Sequence, residues 1–158
     1  MNKEIEIKQL TLADAELVID LFDLYRIFYK QSSNLQLAAD FIKERLSQNE
    51  STIFVALMKD GDKQVPVGFT QLYPTYSSMR ATKNWILNDL YVKVDYRKLG
   101  IGESLIKSAM LFAKTNNAKF VQLETAYDNK IAQSLYERIG FRKQELEQEF
   151  FLYKIEVN

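Results

Sequence analysis

The stretch "VDYRKLGIGESLIKSAMLFA", residues 94–113, places two glycines one residue apart at the start of a helical pattern. Leu105 and Ala109 mark the apolar side of that helix, and the preceding run, "NWILNDLYVK", is almost continuously apolar, as a central strand is. The first amides of a helix have no partner inside it and carry the positive end of its dipole, so they attract anions. Because Arg97 and Lys98 stand beside the glycines, this strand, turn and helix indicate a phosphate or pyrophosphate site.

Two common phosphate motifs do not fit this turn. The dinucleotide fingerprint requires a third glycine where Leu105 stands. The Walker A pattern requires a lysine and then a hydroxyl residue after Gly102, but Glu103 and Ser104 follow instead. On the glycines alone, a tight turn with merely solvated basic residues is an equally good interpretation.

Composition narrows the classes of function. A length of 158 residues suits one domain with its own core, and 21 basic residues balance 21 acidic ones, so no overall positive field favours nucleic acid. The absence of cysteine and histidine excludes disulfides, thiolate zinc sites and histidine-based triads, and leaves acid–base chemistry to carboxylates, tyrosine or lysine. Without an apolar leader or a membrane span in the sequence, we expect a cytoplasmic protein with no membrane, nucleic-acid or metal partner.

The patterns along the chain predict the element order β-α-α-β-β-β-α-β-α-β-β. A strand, "EIEIKQL", precedes two helices, "LADAELVIDLFDLYRIFYK" and "LQLAADFIKERLSQ". The next two segments, "STIFVALMK" and "QVPVGFTQLY", predict a hairpin. Its second strand ends at Pro74, before a polar loop, "TYSSMRATK". After the glycine turn and its helix come a strand, "KFVQLETA", a short helix closed by Gly140, and two C-terminal strands, "FRKQEL" and "FFLYKIEV". The strand, turn, helix and strand around the glycines form one right-handed crossover, so two strands run parallel in an otherwise antiparallel sheet.

Two motifs together are typical of one family. The sequence "LNDLYVKVDYRKLGIGESLI", with the pattern R-x-x-G-x-G, resembles the acetyl-coenzyme A motif of the GNAT N-acetyltransferase superfamily. Independently, "DNKIAQSLYERIGF" resembles the downstream motif of that superfamily, N-x-x-A-x-x-L-Y-x-x-x-G-F. The motifs cover residues 85–141, and the element order extends the resemblance over residues 1–158 as a single N-acetyltransferase domain. Small diamine, polyamine and histone-tail acetyltransferases are the members that the chain resembles most.

The resemblance implies a fold and an acetyl donor. The fold is a single-domain α/β (α+β) architecture, with a mixed, mostly antiparallel central sheet that splays between strands 4 and 5 and has helices on both faces. The pantetheine arm of acetyl-coenzyme A would lie in the gap, as a peptide pairs with an open strand edge. Polar Asn88 and Asp89 within an apolar strand suit a bulge or a cleft there. The residues implied to bind the coenzyme are Leu90, Tyr91 and Val92 on the strand, Arg97, Lys98, Leu99, Gly100, Ile101, Gly102 and Glu103 in the turn, and Asn129 in the downstream motif.

The same resemblance implies the catalytic groups. Tyr136 matches the tyrosine of the downstream motif, whose phenol would donate a proton to the departing thiolate. Without the motif, packing of Tyr136 against Ala132, one turn earlier, would be the better interpretation. Many relatives have a glutamate at or beside the position of Asn88, and this chain departs from that pattern. Asp89 is therefore the candidate base and Glu124 the alternative, although either also suits binding of a cationic substrate.

The acceptor is expected to be a primary amine of a small molecule or peptide. The residues expected to line its site are Tyr25, Tyr29, Gln71, Tyr73, Asn88 and Glu124. Aromatic side chains there suit an alkyl chain or an ammonium group, although the helical spacing of Tyr25 and Phe28 equally suits a core. The resemblance also implies a homodimer, paired through "FFLYKIEV". Two other interpretations stay open: a non-catalytic acyl-coenzyme A-binding or sensor module of the same fold, and an interaction domain without a ligand.

Overall fold

Five strands in the described part of the chain form one sheet, in the order in which they follow along the chain. The computed structural model describes residues 4–145 and 150–157, and the chain divides into two compact units, Met1–Glu124 and Thr125–Asn158. The strands, all in the first unit, are β1 (Ile5–Gln9), β2 (Thr52–Asp60), β3 (Lys63–Ser77), β4 (Thr82–Val92) and β5 (Val121–Gln122). The first three pairings are antiparallel and the last is parallel. The predicted mixed sheet with one crossover is therefore confirmed.

Helices cover both faces of this sheet. The helices of the first unit are α1 (Glu16–Phe28), α2 (Leu35–Ser47) and α3 (Ile101–Thr115). Residues 53–58 of β2 are all buried, although a strand turns alternate side chains to opposite faces. Val55 and Leu57 belong to the apolar cluster of α1 and α2, whereas the Phe54 ring packs against Phe112 of α3, with centroids 5.9 Å apart. Each face of the sheet therefore has its own apolar layer, as predicted.

The hairpin of β3 and β4 is longer than predicted. β3 continues through Pro74 to Ser77 and β4 begins at Thr82, so the predicted end of the strand at Pro74 is wrong. The predicted polar loop "TYSSMRATK" shrinks to a turn at residues 78–81. Pro74 is tolerated because β2 begins opposite Leu72 and pairs with β3 no further. Beyond that point β3 has only β4 beside it, and a residue without an N–H is tolerated there, as it is on an edge strand.

The sheet opens between β4 and β5. These strands pair only at Trp85 with Val121 and at Ile86 with Gln122, so β5 is shorter than the predicted strand "KFVQLETA". From Leu87 to Val92, no strand in the described part of the chain pairs with that edge of β4. The predicted splay between strands 4 and 5 is therefore confirmed.

The second unit contains α4 (Lys130–Ile139). Gly140, at φ 120°, ends this helix as predicted, because its N–H bonds to the carbonyls of Tyr136 and Glu137. The prediction of two C-terminal strands is wrong for the described residues, since residues 141–145 and 150–157 have no strand; Leu146, the last residue of "FRKQEL", lies outside them. The alternation of "FFLYKIEV" is compatible with a strand, but a strand also requires a hydrogen-bonded neighbour. Over the same described ranges, no helix combines the length and apolar character needed to cross a bilayer.

Candidate active site

A bulge in β4 turns two neighbouring polar residues to one side. Gln71 of β3 lies opposite Asp89, but the next pair is Leu72 with Leu87, so Asn88 is the extra residue on β4. A bulge bends its strand and breaks the strict alternation of side chains. Asn88 and Asp89 consequently both line one cavity. The prediction of a bulge or cleft at these polar positions is confirmed.

The cavity lies within the first unit and has a volume of about 320 Å³. Its wall consists of side chains from α1, α2, β3 and β4, most of them aromatic or aliphatic. The lining residues are Phe22, Tyr25, Arg26, Leu37, Phe41, Tyr73, Asn88 and Asp89. Phe22 and Phe41 stack with ring centroids 5.4 Å apart, which makes one side of the wall flat and apolar. An apolar cavity with a few convergent polar groups is the usual form of a small-molecule site.

Asp89 is the buried carboxylate of this cavity, with 2% of its surface exposed. Nε2 of Gln71 donates a hydrogen bond to Oδ2, and Nδ2 of Asn88 donates to Oδ1 at 2.8 Å. Burial raises the pKa of Asp89 above its ordinary value, and the hydrogen bonds from Gln71, Asn88 and Tyr25 only partly offset that rise. The Asp89 carboxylate therefore accepts a proton at a higher pH than an exposed aspartate does.

Two phenols share the cavity with this carboxylate. Burial raises the pKa of Tyr25 well above its ordinary value, and the nearby charge of Asp89 raises it further. Burial and the Asp89 charge raise the pKa of Tyr73 in the same way. Both hydroxyls consequently stay protonated at neutral pH and are hydrogen-bond donors rather than bases.

Gln71 fixes the orientation of Asp89 and leaves one polar atom unsatisfied. Its side chain is fully buried, and Nε2 is committed to the Asp89 carboxylate. Its Oε1 atom accepts no hydrogen bond from any described residue. Gln71 does not itself line the cavity, so its role there is to hold the Asp89 carboxylate.

The turn before α3 has the geometry of an anion site. Lys98 and Gly100 adopt left-handed backbone angles, with φ of 63° and 78°, and Gly100 immediately precedes the first residue of α3. Within the described part of the chain, no acceptor pairs with the backbone amides of Leu99, Gly100, Ile101 and Gly102. Unpaired amides at the start of a helix fit the oxygens of a phosphate group.

Arg97 connects this turn to the end of β4. Its Nε donates to the carbonyl of Val92 at 2.9 Å, and its guanidinium carbon lies 5.9 Å from the ring centroid of Phe28 and 5.8 Å from that of Tyr91. The side chain is nevertheless exposed. Its terminal nitrogens are donors of the kind that suit a phosphate beside the glycine turn.

Tyr136 and Asn129 lie in the second unit, on and before α4. The Tyr136 ring packs edge to face against Phe141, with centroids 6.0 Å apart. Asn129 caps the helix, because its Oδ1 accepts from the backbone N–H of Ala132 at 3.2 Å. Both residues therefore have structural contacts of their own, in addition to the roles that the motif implies.

The structure brings most of the predicted acceptor-site residues together. Tyr25, Tyr73 and Asn88 share the cavity wall with Asp89, and Gln71 bonds to that carboxylate. The other two predicted residues do not line this cavity: Tyr29 is 58% exposed, and Glu124 is exposed at the end of the first unit.

Sequence reasoning missed half of the cavity wall. Phe22, Arg26, Leu37 and Phe41 line the cavity without having been predicted to do so. Leu37 and Phe41 stand four residues apart on α2, which is an ordinary core spacing. Arg26 follows Phe22 by four residues on α1, and an arginine on the apolar side of an amphipathic helix was the signal available in the sequence.

Comparison with known proteins agrees with this architecture. The sequence profile described as "Acetyltransferase (GNAT) family" matches residues 18–141. YhfO of Bacillus subtilis (strain 168), an uncharacterized N-acetyltransferase, is 42% identical over 137 residues, which are 87% of this chain and 89% of that protein. A crystal structure of a probable acetyltransferase is 36% identical and has a TM-score of 0.84, and the match covers 97% of this chain and 98% of that one. The aminoglycoside N-acetyltransferase AAC(6')-Iy in complex with coenzyme A shares the fold, with a TM-score of 0.79 and 18% identity over 99% of this chain and 98% of that one.

Proposed function

Because the chain belongs to the acetyltransferase (GNAT) family, we propose that it transfers the acetyl group of acetyl-coenzyme A directly to a primary amine bound beside Asp89. The observation that carries this proposal is the arrangement along β4. Its bulge presents a buried carboxylate to the cavity, and its open edge then leads into the turn with unpaired amides. A proton acceptor on β4 and an anion site in the turn that follows β4 thus succeed each other along the chain.

The residues around the gap suit coenzyme A. Bound acetyl-coenzyme A supplies an activated acetyl thioester. The open edge of β4 offers unpaired peptide groups to the amides of a pantetheine arm, as an edge strand does to a peptide. The amides of residues 98–103 and the side chain of Arg97 suit the pyrophosphate. We assign the pantetheine arm to Leu90, Tyr91, Val92 and Asn129, and the pyrophosphate to Arg97, Lys98, Leu99, Gly100, Ile101, Gly102 and Glu103.

Asp89 is the proposed general base. An ammonium group has no lone pair, so the amine must lose a proton before it attacks a carbonyl carbon. The Asp89 carboxylate is the buried acceptor in the cavity, and burial has moved its pKa upward, closer to the pH at which a base works best. The hydroxyl oxygens of Tyr25 and Tyr73 can then accept hydrogen bonds from the N–H groups of the amine and orient its lone pair for attack.

Tyr136 is the proposed general acid. As the new carbon–nitrogen bond forms and the carbon–sulfur bond breaks, the Tyr136 hydroxyl donates its proton to the departing sulfur. The second proton of the amine then returns to the Tyr136 phenolate, and Asp89 releases the first proton to solvent, so both groups regain their starting states. The motif "DNKIAQSLYERIGF" supports this assignment, and the packing of the ring on Phe141 holds it in place within the second unit.

A thiol-release assay tests the function directly. Acetyl-coenzyme A is incubated with the protein and a panel of polyamines, amino acids, aminoglycosides and lysine peptides, and free coenzyme A is measured with a thiol reagent. Amine-dependent release is the expected result. Coenzyme binding without release for any amine would favour the non-catalytic sensor instead, and absence of both would contradict the coenzyme site.

Coenzyme binding should stabilise the fold. At a hundredfold excess of acetyl-coenzyme A over its Kd, we expect Tm to rise by about 5 to 10 °C, because the ligand binds the native state alone. Gly102→Val should abolish this shift, because the side chain obstructs the approach to the amides of the turn. The matched control is Leu111→Val, on the exposed side of the same helix, which should keep the shift. An intact shift in Gly102→Val would place the coenzyme elsewhere.

We also propose that the protein is a homodimer paired through residues 150–157. Phe151, Tyr153, Ile155 and Val157 alternate with Leu152, Lys154 and Glu156, and each of these four apolar residues is at least 85% exposed. A second copy supplies the strand partner that the described chain lacks. Light scattering should give twice the mass of the chain, and Tyr153→Glu with Ile155→Lys should give the monomer. Met79→Glu, at an isolated residue that is 88% exposed, should stay dimeric; a monomeric wild type would refute the proposal.

A further inference from the structure

Two opposite charges line the same small cavity. Asp89 lies at the bulge of β4, and Arg26 extends into the wall from α1. The proposed acetyl transfer uses the carboxylate, but it gives the guanidinium no role. An arginine in a ligand cavity is most often a binding group for carboxylate or phosphate, because its planar fork matches their oxygens.

Arg26 retains donors for such a ligand. Its Nη1 reaches the carbonyl of Ser32 at 3.3 Å and lies 3.6 Å from Oδ1 of Asp23. The Asp23 carboxylate is already satisfied by Oγ of Ser33 at 2.6 Å and by the backbone N–H of Asn34 at 2.8 Å. Among the described residues, no acceptor pairs with Nε or Nη2 of Arg26, whose side chain is 18% exposed. Asp23 thus holds Arg26 by charge, and Nε and Nη2 of the guanidinium are available to a ligand.

The Asp89 carboxylate in the same cavity wall suits a single ammonium group. Asp89 offers one buried negative charge to the cavity. An ammonium group carries a positive charge and three donors, and it compensates this carboxylate. A second ammonium at the far end of the same molecule would meet the positive charge of Arg26, so the wall disfavours a diamine or polyamine.

The middle of the wall suits a short hydrocarbon stem. The stacked rings of Phe22 and Phe41 and the ring of Tyr25 line the cavity together with the two charged groups. A volume of about 320 Å³ is at the small end of ligand cavities, so a compact molecule fits better than an oligosaccharide.

We propose that the acceptor is a small amino acid, whose ammonium group binds beside Asp89 while its carboxylate pairs with Arg26. This inference rests on the proposed acetyl transfer and narrows its substrate to molecules that carry both charges. Arg26 is then a specificity residue, since it contacts the end of the substrate that does not react.

The test compares three amines that differ only at the far end of one chain: 6-aminohexanoate, hexylamine and 1,6-diaminohexane, with shorter and longer homologues of each. Thiol release gives kcat/KM, and calorimetry on the protein saturated with coenzyme A gives Kd without turnover. At the best chain length, we expect the amino acid to exceed the alkylamine by about 10- to 100-fold in both quantities, because a charged hydrogen-bonded pair is formed. The diamine should fall below the alkylamine.

Arg26→Gln should reduce that preference to near unity, and Arg26→Lys should restore part of it. The ratio between two substrates does not depend on the fraction of folded protein, so a loss of stability cannot imitate this result. Arg80→Gln, in the exposed turn of the β3–β4 hairpin, is the matched control and should keep the wild-type ratio.

A wild-type preference for the diamine or the alkylamine, or an unchanged ratio in Arg26→Gln, would overturn the inference and leave the acetyl transfer intact. Absence of turnover with every amine would instead refute the proposed function. In that case calorimetry still decides the inference, since equal Kd values for the three amines would contradict it.

Discussion

Asparagine in place of Asp89 is expected to lower kcat/KM for the amine by about 10²- to 10⁴-fold, the usual contribution of a positioned base. The amide has no proton affinity near neutral pH, so the amine stays protonated in the cavity. Affinity for coenzyme A should remain near the wild-type value, because the proposed coenzyme contacts lie on the open edge of β4 and in the turn beyond it. Steady-state thiol release and a calorimetric titration with coenzyme A measure the two quantities.

The pH dependence separates a base from a purely structural carboxylate. In the wild type, kcat/KM should rise with pH until Asp89 has lost its proton, and burial moves the end of that rise upward from the range of an exposed aspartate. The same carboxyl group also makes the free energy of unfolding depend on pH, and the direction of that dependence follows from its pKa. The folded pKa of Asp89 is raised above the unfolded value of about 3.9, so the native state binds more protons and the free energy of unfolding falls as pH increases through that window.

Asp89→Asn should lose both the ascending limb of activity and this component of the pH dependence of stability. Asp20→Asn, an exposed aspartate on α1, makes the same chemical change outside the site and should resemble the wild type. An Asp89→Asn enzyme with a normal rate and an unaltered pH profile would transfer the role of base to another group or to solvent.

The parts of the fold that sequence predicted best depend on local chemistry. The turn before α3 needs left-handed angles, and Gly100 provides one of them without a steric penalty. The end of α4 follows from Gly140, whose N–H bonds to the carbonyls of Tyr136 and Glu137, a few residues away. The bulge at Asn88 was predictable because polar residues inside an apolar strand are expected where the strand bulges or faces a cleft.

The parts that sequence could not predict depend on distant neighbours. Whether Pro74 ends β3 depends on where β2 begins, and whether "FFLYKIEV" is a strand depends on a partner that the described chain does not provide. Arg26 lies on the apolar side of α1, and its place in the cavity wall depends on which parts of β3 and β4 the helix covers. The spacing of apolar residues predicts which side of α1 is buried, but it does not predict which strand residues pack against that side.

Phenylalanine in place of Tyr136 is expected to lower kcat by about 10²- to 10⁴-fold, because the departing sulfur loses its proton donor. The variant keeps the aromatic ring, so the packing against Phe141 and the fold of the second unit should persist. Affinity for coenzyme A should therefore stay near the wild-type value, which calorimetry measures. Tyr127→Phe, at a tyrosine of the same unit that is 88% exposed, removes a hydroxyl without affecting the reaction and is the matched control. If Tyr136→Phe and Tyr127→Phe have equal kcat values, the motif tyrosine serves packing alone, and the proton reaches the sulfur from solvent.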